Sequence, residues 1–134
     1  MNYDTFIDLV AQRARVPSEQ AVDLTRATLE TLADRLTSGE VLDLAVQLPK
    51  PLQTTLRKRG EARESFGVEE FTRRVGVGAG VDEATAGTGL QAVFTTLREA
   101  VSGGEFDEVM TQLPGEYRDL VAPSMMPGGV LRDR

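Results

Sequence analysis

The stretch that decides the fold is Thr37-Ser-Gly-Glu-Val-Leu-Asp-Leu-Ala-Val-Gln-Leu-Pro49, because it returns without a gap as Ser102-Gly-Gly-Glu-Phe-Asp-Glu-Val-Met-Thr-Gln-Leu-Pro114. The offset from 37 to 102 is 65 residues. In each copy a hydroxyl residue precedes a glutamate by three positions, Thr37 before Glu40 and Ser102 before Glu105. This spacing is typical of a capping box, in which the hydroxyl and the carboxylate both accept backbone N–H groups at the start of a helix. A helix is therefore predicted to begin at both places.

Both copies are also predicted to end at the same point, Gln-Leu-Pro, because proline cannot continue a helix and disfavours the helical conformation in the residue before it. Between the two signals, apolar residues recur at spacings of three and four, which places them on one helical face. These residues are Val41, Leu44, Ala45 and Leu48 in the first copy, and Phe106, Val109, Met110 and Leu113 in the second.

The same apolar periodicity predicts three further helices in the first copy. The first begins at Tyr3, the second follows a Ser18 cap to about Leu36, and the last runs from Pro51 to about Arg59. In the second of these, Val22, Leu29, Leu32 and Leu36 are expected to be buried, and Asp23, Arg26, Glu30 and Asp34 to be solvated.

Apolar positions repeat along the whole chain at the same offset of 65, for example Phe6 with Phe71 and Leu32 with Leu97. We therefore predict an all-α fold of two tandem four-helix repeats packed as one helical bundle, since one copy alone is too small to bury its apolar face. The expected boundaries are repeat 1 over 1–59, a connection over 60–67, repeat 2 over 68–121 and a flexible tail over 122–134.

Glycines distinguish the second copy. Gly76-Val-Gly-Ala-Gly lacks the spacing of a dinucleotide-binding loop, and neither a preceding strand nor a following Walker lysine is present. We interpret it as a connection between helices, with Asp82 capping the next helix. Gly87 and Gly89 lie in the opening turns of that helix, where each glycine costs about 0.5–1 kcal/mol relative to alanine. The second copy is therefore expected to be the softer half.

Composition and charge exclude several functions. The 134-residue chain has neither cysteine nor histidine, which excludes disulfides, thiolate metal sites and catalytic triads that use either residue. We expect no catalytic residue, no metal and no cofactor. The formal charge of −6 disfavours nucleic acid, because the phosphates would be repelled.

Sequence signals for export and for the membrane are also missing. The first eight residues lack the basic region and apolar core of a signal peptide, and no apolar run approaches the roughly 18 residues that span a bilayer. We therefore expect a soluble cytoplasmic protein without membrane contact.

The two-copy pattern resembles the bacterial family called domain of unknown function 2267 (DUF2267), over roughly Tyr3 to Val121. The resemblance implies an all-helical fold and a bacterial origin. The family has no established activity, so it supplies no site residues. The chain departs from the family around Gly78 and in its Met-Met-Pro tail. The features that carry the resemblance are Phe6 and Phe71, Gly39-Glu40 and Gly104-Glu105, Gln47-Leu48-Pro49 and Gln112-Leu113-Pro114, and Tyr117.

One cationic cluster stands out against the acidic composition. From Lys50 to Phe66 there are five basic and two acidic residues, a local excess of +3. The plainest interpretation is that Arg57, Lys58 and Arg59 complement the dipole at the end of the fourth helix. The alternatives are a docking surface for an acidic partner, including a second copy of the chain, or nucleic acid. The last lacks the aromatic residues that single-strand binders interleave with basic ones.

The acidic residues around the two caps are candidates for a carboxylate site. A general acid needs a raised pKa, which requires burial or a neighbouring carboxylate. Because the capping box already accounts for Glu40 and Glu105, we do not assign a catalytic role to them. The Asp-rich loop that binds calcium is absent. The other acidic residues of this group are Asp43, Asp107 and Glu108.

These observations favour a non-enzymatic protein–protein interaction or scaffold module. It would offer a groove between the two copies, or the acidic face of one copy, to an unknown protein partner or to a second copy of itself. The alternative is a small-molecule sensor or ligand-binding protein with a pocket between helical layers. The candidate partner-docking residues are Lys50, Arg57, Lys58, Arg59, Arg63, Met125 and Met126.

Overall fold

The computed structural model of the chain describes residues 1–56 and 63–121, and within them all regular structure is helical, with no strand. The predicted all-α fold is confirmed. In this part of the chain no helix is both long enough and apolar enough to cross a bilayer. The elements are α1 Tyr3–Ala14, α2 Ser18–Arg35, α3 Ser38–Ala45, α4 Lys50–Thr55, α5 Val68–Ala79, α6 Glu83–Ala100, α7 Gly103–Thr111 and a 3₁₀ helix Gly115–Leu120.

The four long helices α1, α2, α5 and α6 form the centre of the molecule. The most extensive contacts join α1 to α6 and α2 to α5, so each long helix of the first half packs against a long helix of the second. The short helices pack around this centre: α4 on α2, the 3₁₀ helix on α6, and α3 on α7. One continuous apolar core with side chains from both halves results.

Short polar side chains set the helix starts. Thr37 Oγ1 accepts from Glu40 N at 3.3 Å, Ser102 Oγ accepts from Glu105 N at 3.1 Å, and Asp82 Oδ1 accepts from Thr85 N at 2.8 Å, as the sequence predicted. The Ser18 cap was wrong. Pro17 stands at the N-cap with φ −63° and ψ 158°, and no side chain caps this helix. The proline ring already fixes the chain in the conformation that an N-cap residue needs, so Ser18 becomes the first helical residue.

The short helices end earlier than the sequence predicted. Regular α-helix stops at Ala45, before the expected Leu48, because the last turn tightens into i→i+3 hydrogen bonds such as Leu48 N to Ala45 O at 3.0 Å. The predicted fourth helix ended near Arg59, which lies outside the described residues. Within them, α4 ends at Thr55.

The glycine-rich segment is not the predicted connection. Gly76 and Gly78 lie inside α5, and Gly80, with φ +71°, ends the helix in the left-handed conformation. A Cβ on Gly78 would stand 3.2 Å from the Cβ of Ala27 in α2. The glycine therefore permits the close approach of α2 and α5, which the helical pattern of a single segment could not reveal.

Two burial predictions for α2 were also wrong. Val22 is 36% exposed, whereas Asp34 is only 7% exposed. Asp34 lies under α5, where Arg74 Nη1 stands 3.6 Å from its carboxylate, and its backbone oxygen accepts from Glu64 N at 2.9 Å. Helical periodicity defines an apolar stripe, but the neighbouring helix decides which side of the stripe is covered.

Candidate functional site

An open groove of about 550 Å³ lies between α3 and α4. Leu42 and Ala45 of α3, with Val46 directly after them, form one apolar side of it, and Leu56, which follows α4, lies on the other. Gln53 of α4 adds an amide group. The groove therefore offers a mainly apolar surface with a polar edge, which suits a ligand or a partner segment that has both characters.

The outward face of α3 is unusual for a helix of this size. Leu42 is 67% exposed and Val46 is 76% exposed, whereas Leu44 of the same helix is buried in the core. Residues four apart are neighbours on a helix surface, so Leu42 and Val46 form one exposed apolar surface beside the groove. An exposed pair of this kind contributes little to folding, and a contiguous apolar patch on a surface is a common mark of an interaction site.

The structure places two of the predicted docking residues. Lys50 is exposed at the start of α4, and Arg63 is exposed in the segment before α5. Arg57, Lys58, Arg59, Met125 and Met126 lie outside the described residues. Leu56, the residue that lines the groove, directly precedes Arg57 in the chain.

A second feature lies on the other side of α3, where Glu40 and Glu105 meet in the contact between α3 and α7. Glu40 is 5% exposed and Glu105 is partly buried. The Oε2 atom of each carboxyl group is buried, and among the described residues no donor reaches either atom. The expected capping box is therefore only half formed, because the hydroxyls cap the helices and the carboxyls do not complete the exchange.

Glutamine side chains from the opposite half take the place of those carboxyls. Gln112 Oε1 accepts from Thr37 N at 2.9 Å, and Gln47 Oε1 accepts from Ser102 N at 2.8 Å. Gln112 Nε2 also donates to Thr37 Oγ1 at 3.3 Å. Sequence reasoning missed this reciprocal capping, although the repeated Gln-Leu-Pro motif carried the signal. Because the caps are supplied across the two halves, both glutamate carboxyls point into the contact between α3 and α7.

The electrostatics of this contact favour a neutral carboxyl group. Burial, the hydrogen bond that a protonated carboxyl can make between Glu40 and Glu105, and the negative charges of Glu105, Asp43 and Glu108 raise the pKa of Glu40 from its ordinary value of 4.5 to about 8. Within the described part of the chain, no group of three or more acidic side chains is placed to hold a metal ion. The pair can hold a proton, but it does not line the groove.

One comparison with known proteins gives a match. The family model described as "Uncharacterized conserved protein (DUF2267)" matches residues 3–120, which is most of the chain. A search of curated proteins gives no match.

Proposed function

The chain belongs to the DUF2267 family of uncharacterized conserved proteins, and we propose that it is a non-enzymatic interaction module whose α3–α4 groove binds a protein partner. The partner would present an amphipathic helix with apolar side chains on one face and acidic side chains beside them. Helices of this kind bind apolar grooves through anchors at spacings of three, four and seven residues. We also propose that this module acts in the bacterial cytoplasm. The family resemblance implies a bacterial origin, and the absence of cysteine from the sequence permits this compartment.

The single observation that carries the proposal is the exposed pair Leu42 and Val46. Adding 65 to these numbers leads to Asp107 and Thr111, which are exposed polar residues of α7. The apolar character of the α3 surface is therefore confined to one of two similar helices. If the fold itself required apolar residues at these positions, both helices would carry them. A role specific to the first half therefore explains the pair better.

This comparison rests on the inference that the chain is an internal duplication, with repeat 1 over 1–59, a connection over 60–67 and repeat 2 over 68–121. The element bounds support it. Tyr3 and Val68 begin α1 and α5, Ser18 and Glu83 begin α2 and α6, and the two pairs of short helices begin at residues 38 and 103 and at residues 50 and 115. All four differences equal 65.

Charge favours an acidic partner. Exposed Lys50 begins the helix that forms one side of the groove, and the residues after Leu56 are Arg57-Lys58-Arg59 in the sequence. The local excess of +3 from Lys50 to Phe66 contrasts with a net charge of −6 for the whole chain. An acidic segment would therefore be attracted to this end of the molecule and repelled elsewhere, which guides both the rate and the orientation of binding. A second copy of this acidic chain is one such partner.

Fluorescence anisotropy with a designed peptide tests the proposal. The probe is a fluorescein-labelled helix with Leu at i and i+4 and Glu on the flanking positions, compared with a scrambled peptide and with a Lys-for-Glu version. We expect only the acidic amphipathic helix to bind. The variant Leu42→Asp/Val46→Thr should lose roughly tenfold or more in affinity, because burial of one Leu side chain contributes about 1.5–3 kcal/mol. Lys50→Glu should cause a smaller loss that disappears at high salt.

Val77→Thr is the matched control, because Val77 is 73% exposed on α5, away from the groove. It should bind the peptide as the wild type does. The proposal fails if the acidic helix does not bind, or if Val77→Thr weakens binding as much as the double substitution in α3.

A small-molecule ligand is the second candidate, because the groove volume of about 550 Å³ lies within the roughly 300–1,000 Å³ of ordinary ligand pockets. A thermal-shift screen of nucleotides, cofactors and other metabolites distinguishes it, since a ligand that binds the folded state raises its melting temperature. A hit that Leu42→Asp abolishes would favour the sensor. Uniform failure across the screen would leave the interaction module.

A further inference from the structure

The contact between α3 and α7 is held by two hydrogen bonds between the halves. Gln47 accepts from the N–H at the start of α7, and Gln112 accepts from the N–H at the start of α3. The same contact contains the pair Glu40 and Glu105, each with a buried oxygen that no donor of the described residues reaches. An oxygen in this position costs free energy unless a hydrogen-bond donor is provided.

A proton on one carboxyl group provides that donor. A protonated carboxyl donates one hydrogen bond, and an ionised carboxyl only accepts. If one of the two glutamates keeps its proton, its O–H can donate to the other, and the missing partner is found within the pair. If both are ionised, two acceptors with like charges face each other in a place from which water is largely excluded.

The surrounding charges do not offset that repulsion. Asp43 on α3 and Glu108 on α7 also act on Glu40, and both are acidic, so every charged group that affects Glu40 raises its pKa. We propose that Glu40 and Glu105 share one proton at neutral pH and that this proton fastens α3 to α7, so that its loss in alkaline solution releases α3. The proton would act whether or not the groove binds a partner.

The direction of the pH dependence follows from the proton balance. The unfolded chain loses the Glu40 proton near pH 4.5, whereas the folded pair keeps it to about pH 8. Unfolding between these values therefore releases a proton, and stability falls as the pH rises through this window. One proton changes the folding equilibrium constant by at most about tenfold per pH unit, and the dependence flattens above the folded pKa.

Carbon-13 NMR of the glutamate side-chain carboxyl groups, recorded on the full chain from pH 3 to 10, tests the proposal directly. We expect one carboxyl signal of the pair to titrate several pH units above the exposed glutamates. Above that midpoint, the amide protons of α3 should exchange faster relative to those of α6. The proposal is overturned if both glutamates of the pair titrate near 4.5, or if exchange in α3 relative to α6 does not change across the transition.

Urea unfolding at a series of pH values gives the second measurement. Glu40→Gln keeps an amide donor and cannot ionise, so it should remove most of the slope between pH 5 and 8. Asp43→Asn is the control on the same helix, and it should keep the slope while moving its upper end slightly to lower pH. Equal slopes in the wild type and Glu40→Gln would contradict a shared proton. If Glu40→Gln does not fold, the NMR titration of the wild type decides alone.

Discussion

The two halves of the molecule use the same order of helices but differ in the side chains that they expose and in those that they contribute to the shared core. The outward surface of α3 carries Leu42, and Val46 follows at the end of the helix. The residues 65 positions later, Asp107 and Thr111, are exposed polar residues of α7. Burial in the shared core requires apolar residues on the inner faces only. The difference teaches that the first half offers, beside the groove, an exposed apolar surface that the second half lacks at these positions.

The two halves also contribute different kinds of side chain to the core. Phe71 in the second half lies 5.8 Å from Phe94, 5.7 Å from Tyr117 and 6.2 Å from Phe66, measured between ring centroids. At an offset of 65, Phe94 and Tyr117 correspond to Leu29 and Leu52. The second half is therefore built around packed aromatic rings, and the first half around a single Phe6 with aliphatic neighbours.

The connection before α5 is fixed on the same aromatic cluster. Tyr117 Oη donates to the backbone oxygen of Phe66 at 2.8 Å, and the guanidinium of Arg74 stands 4.0 Å from the centre of the Phe66 ring. Arg74 also donates to Glu70 at 2.9 Å. Hydrogen bonds from Arg73 and, second, from Arg74 lower the pKa of Glu70 to about 2. These contacts stabilise the second half, whereas its glycines favour a lower local stability. That lower stability stays a prediction.

The largest expected effect comes from breaking the aromatic cluster. Phe71→Ala should lower the free energy of unfolding by about 3–5 kcal/mol. Phe6→Ala removes an equally buried ring, but the loss at Phe71 should exceed it by about 1 kcal/mol or more, because aromatic pairs add about 0.5–1.5 kcal/mol each. Urea unfolding of both variants checks this order, and leucine at both positions gives the same comparison if alanine prevents folding. Equal losses would mean that the aromatic cluster adds nothing to the contribution of one buried ring.

The next effect tests the fit between the halves at Gly89. A Cβ there would stand 2.6 Å from a methyl carbon of Leu24, which is fully buried and corresponds to Gly89 at the offset of 65. Gly89→Ala should therefore destabilise the protein by about 1–2 kcal/mol, because overpacking outweighs a gain in helix propensity of up to about 1 kcal/mol.

Gly87→Ala is the matched control, since its Cβ would meet only Thr72 Cγ2 at 4.0 Å. It should be neutral or stabilising by thermal unfolding. In a Leu24→Ala background the cost of Gly89→Ala should disappear. A destabilising Gly87→Ala, or a cost at Gly89 that persists without Leu24, would show that close packing is not the reason for the glycine.

The smallest effect tests the reciprocal caps. Gln112→Ala and Gln47→Ala should each cost about 0.5–1.5 kcal/mol, which is the usual net contribution of a hydrogen bond. Gln112 should cost more, because it makes two bonds to Thr37 and Gln47 makes one to Ser102. Gln91→Ala, at an exposed position of α6, should change stability by less than about 0.5 kcal/mol. Chemical unfolding checks the order, and no difference between Gln112 and Gln91 would contradict the cap.

Much of the fold could be predicted because its signals are local. The hydroxyl of Thr37 and the amide that it caps are three residues apart, so their pattern is visible in the sequence. The same holds for Asp82. Asp34 was predicted to be solvated and Gly78 to lie in a connection, and both predictions were wrong. The surroundings of each residue depend on a neighbouring helix that lies far away in the chain.

The candidate sites were less accessible to sequence reasoning. Lys50 and Arg63 are exposed as a docking surface requires, and the rest of the predicted cationic cluster, with Met125 and Met126, lies outside the described residues. A groove between the two copies was predicted, whereas the groove that the structure shows lies between α3 and α4, within the first half. A short helix such as α3, in which apolar residues outnumber two acidic ones, gives no sign of which apolar side chains are left uncovered.

By itself the sequence determined that the chain is helical, where most helices begin, and which residues could not perform histidine or cysteine chemistry. These properties depend on covalent composition and on contacts within about one helical turn. Only the tertiary structure decided that Gln47 and Gln112 cap the opposite half, that Glu40 meets Glu105, and that Leu42 and Val46 remain exposed. The cap contacts join residues 55 and 75 positions apart in the chain, and such pairs are fixed by how whole helices pack against one another.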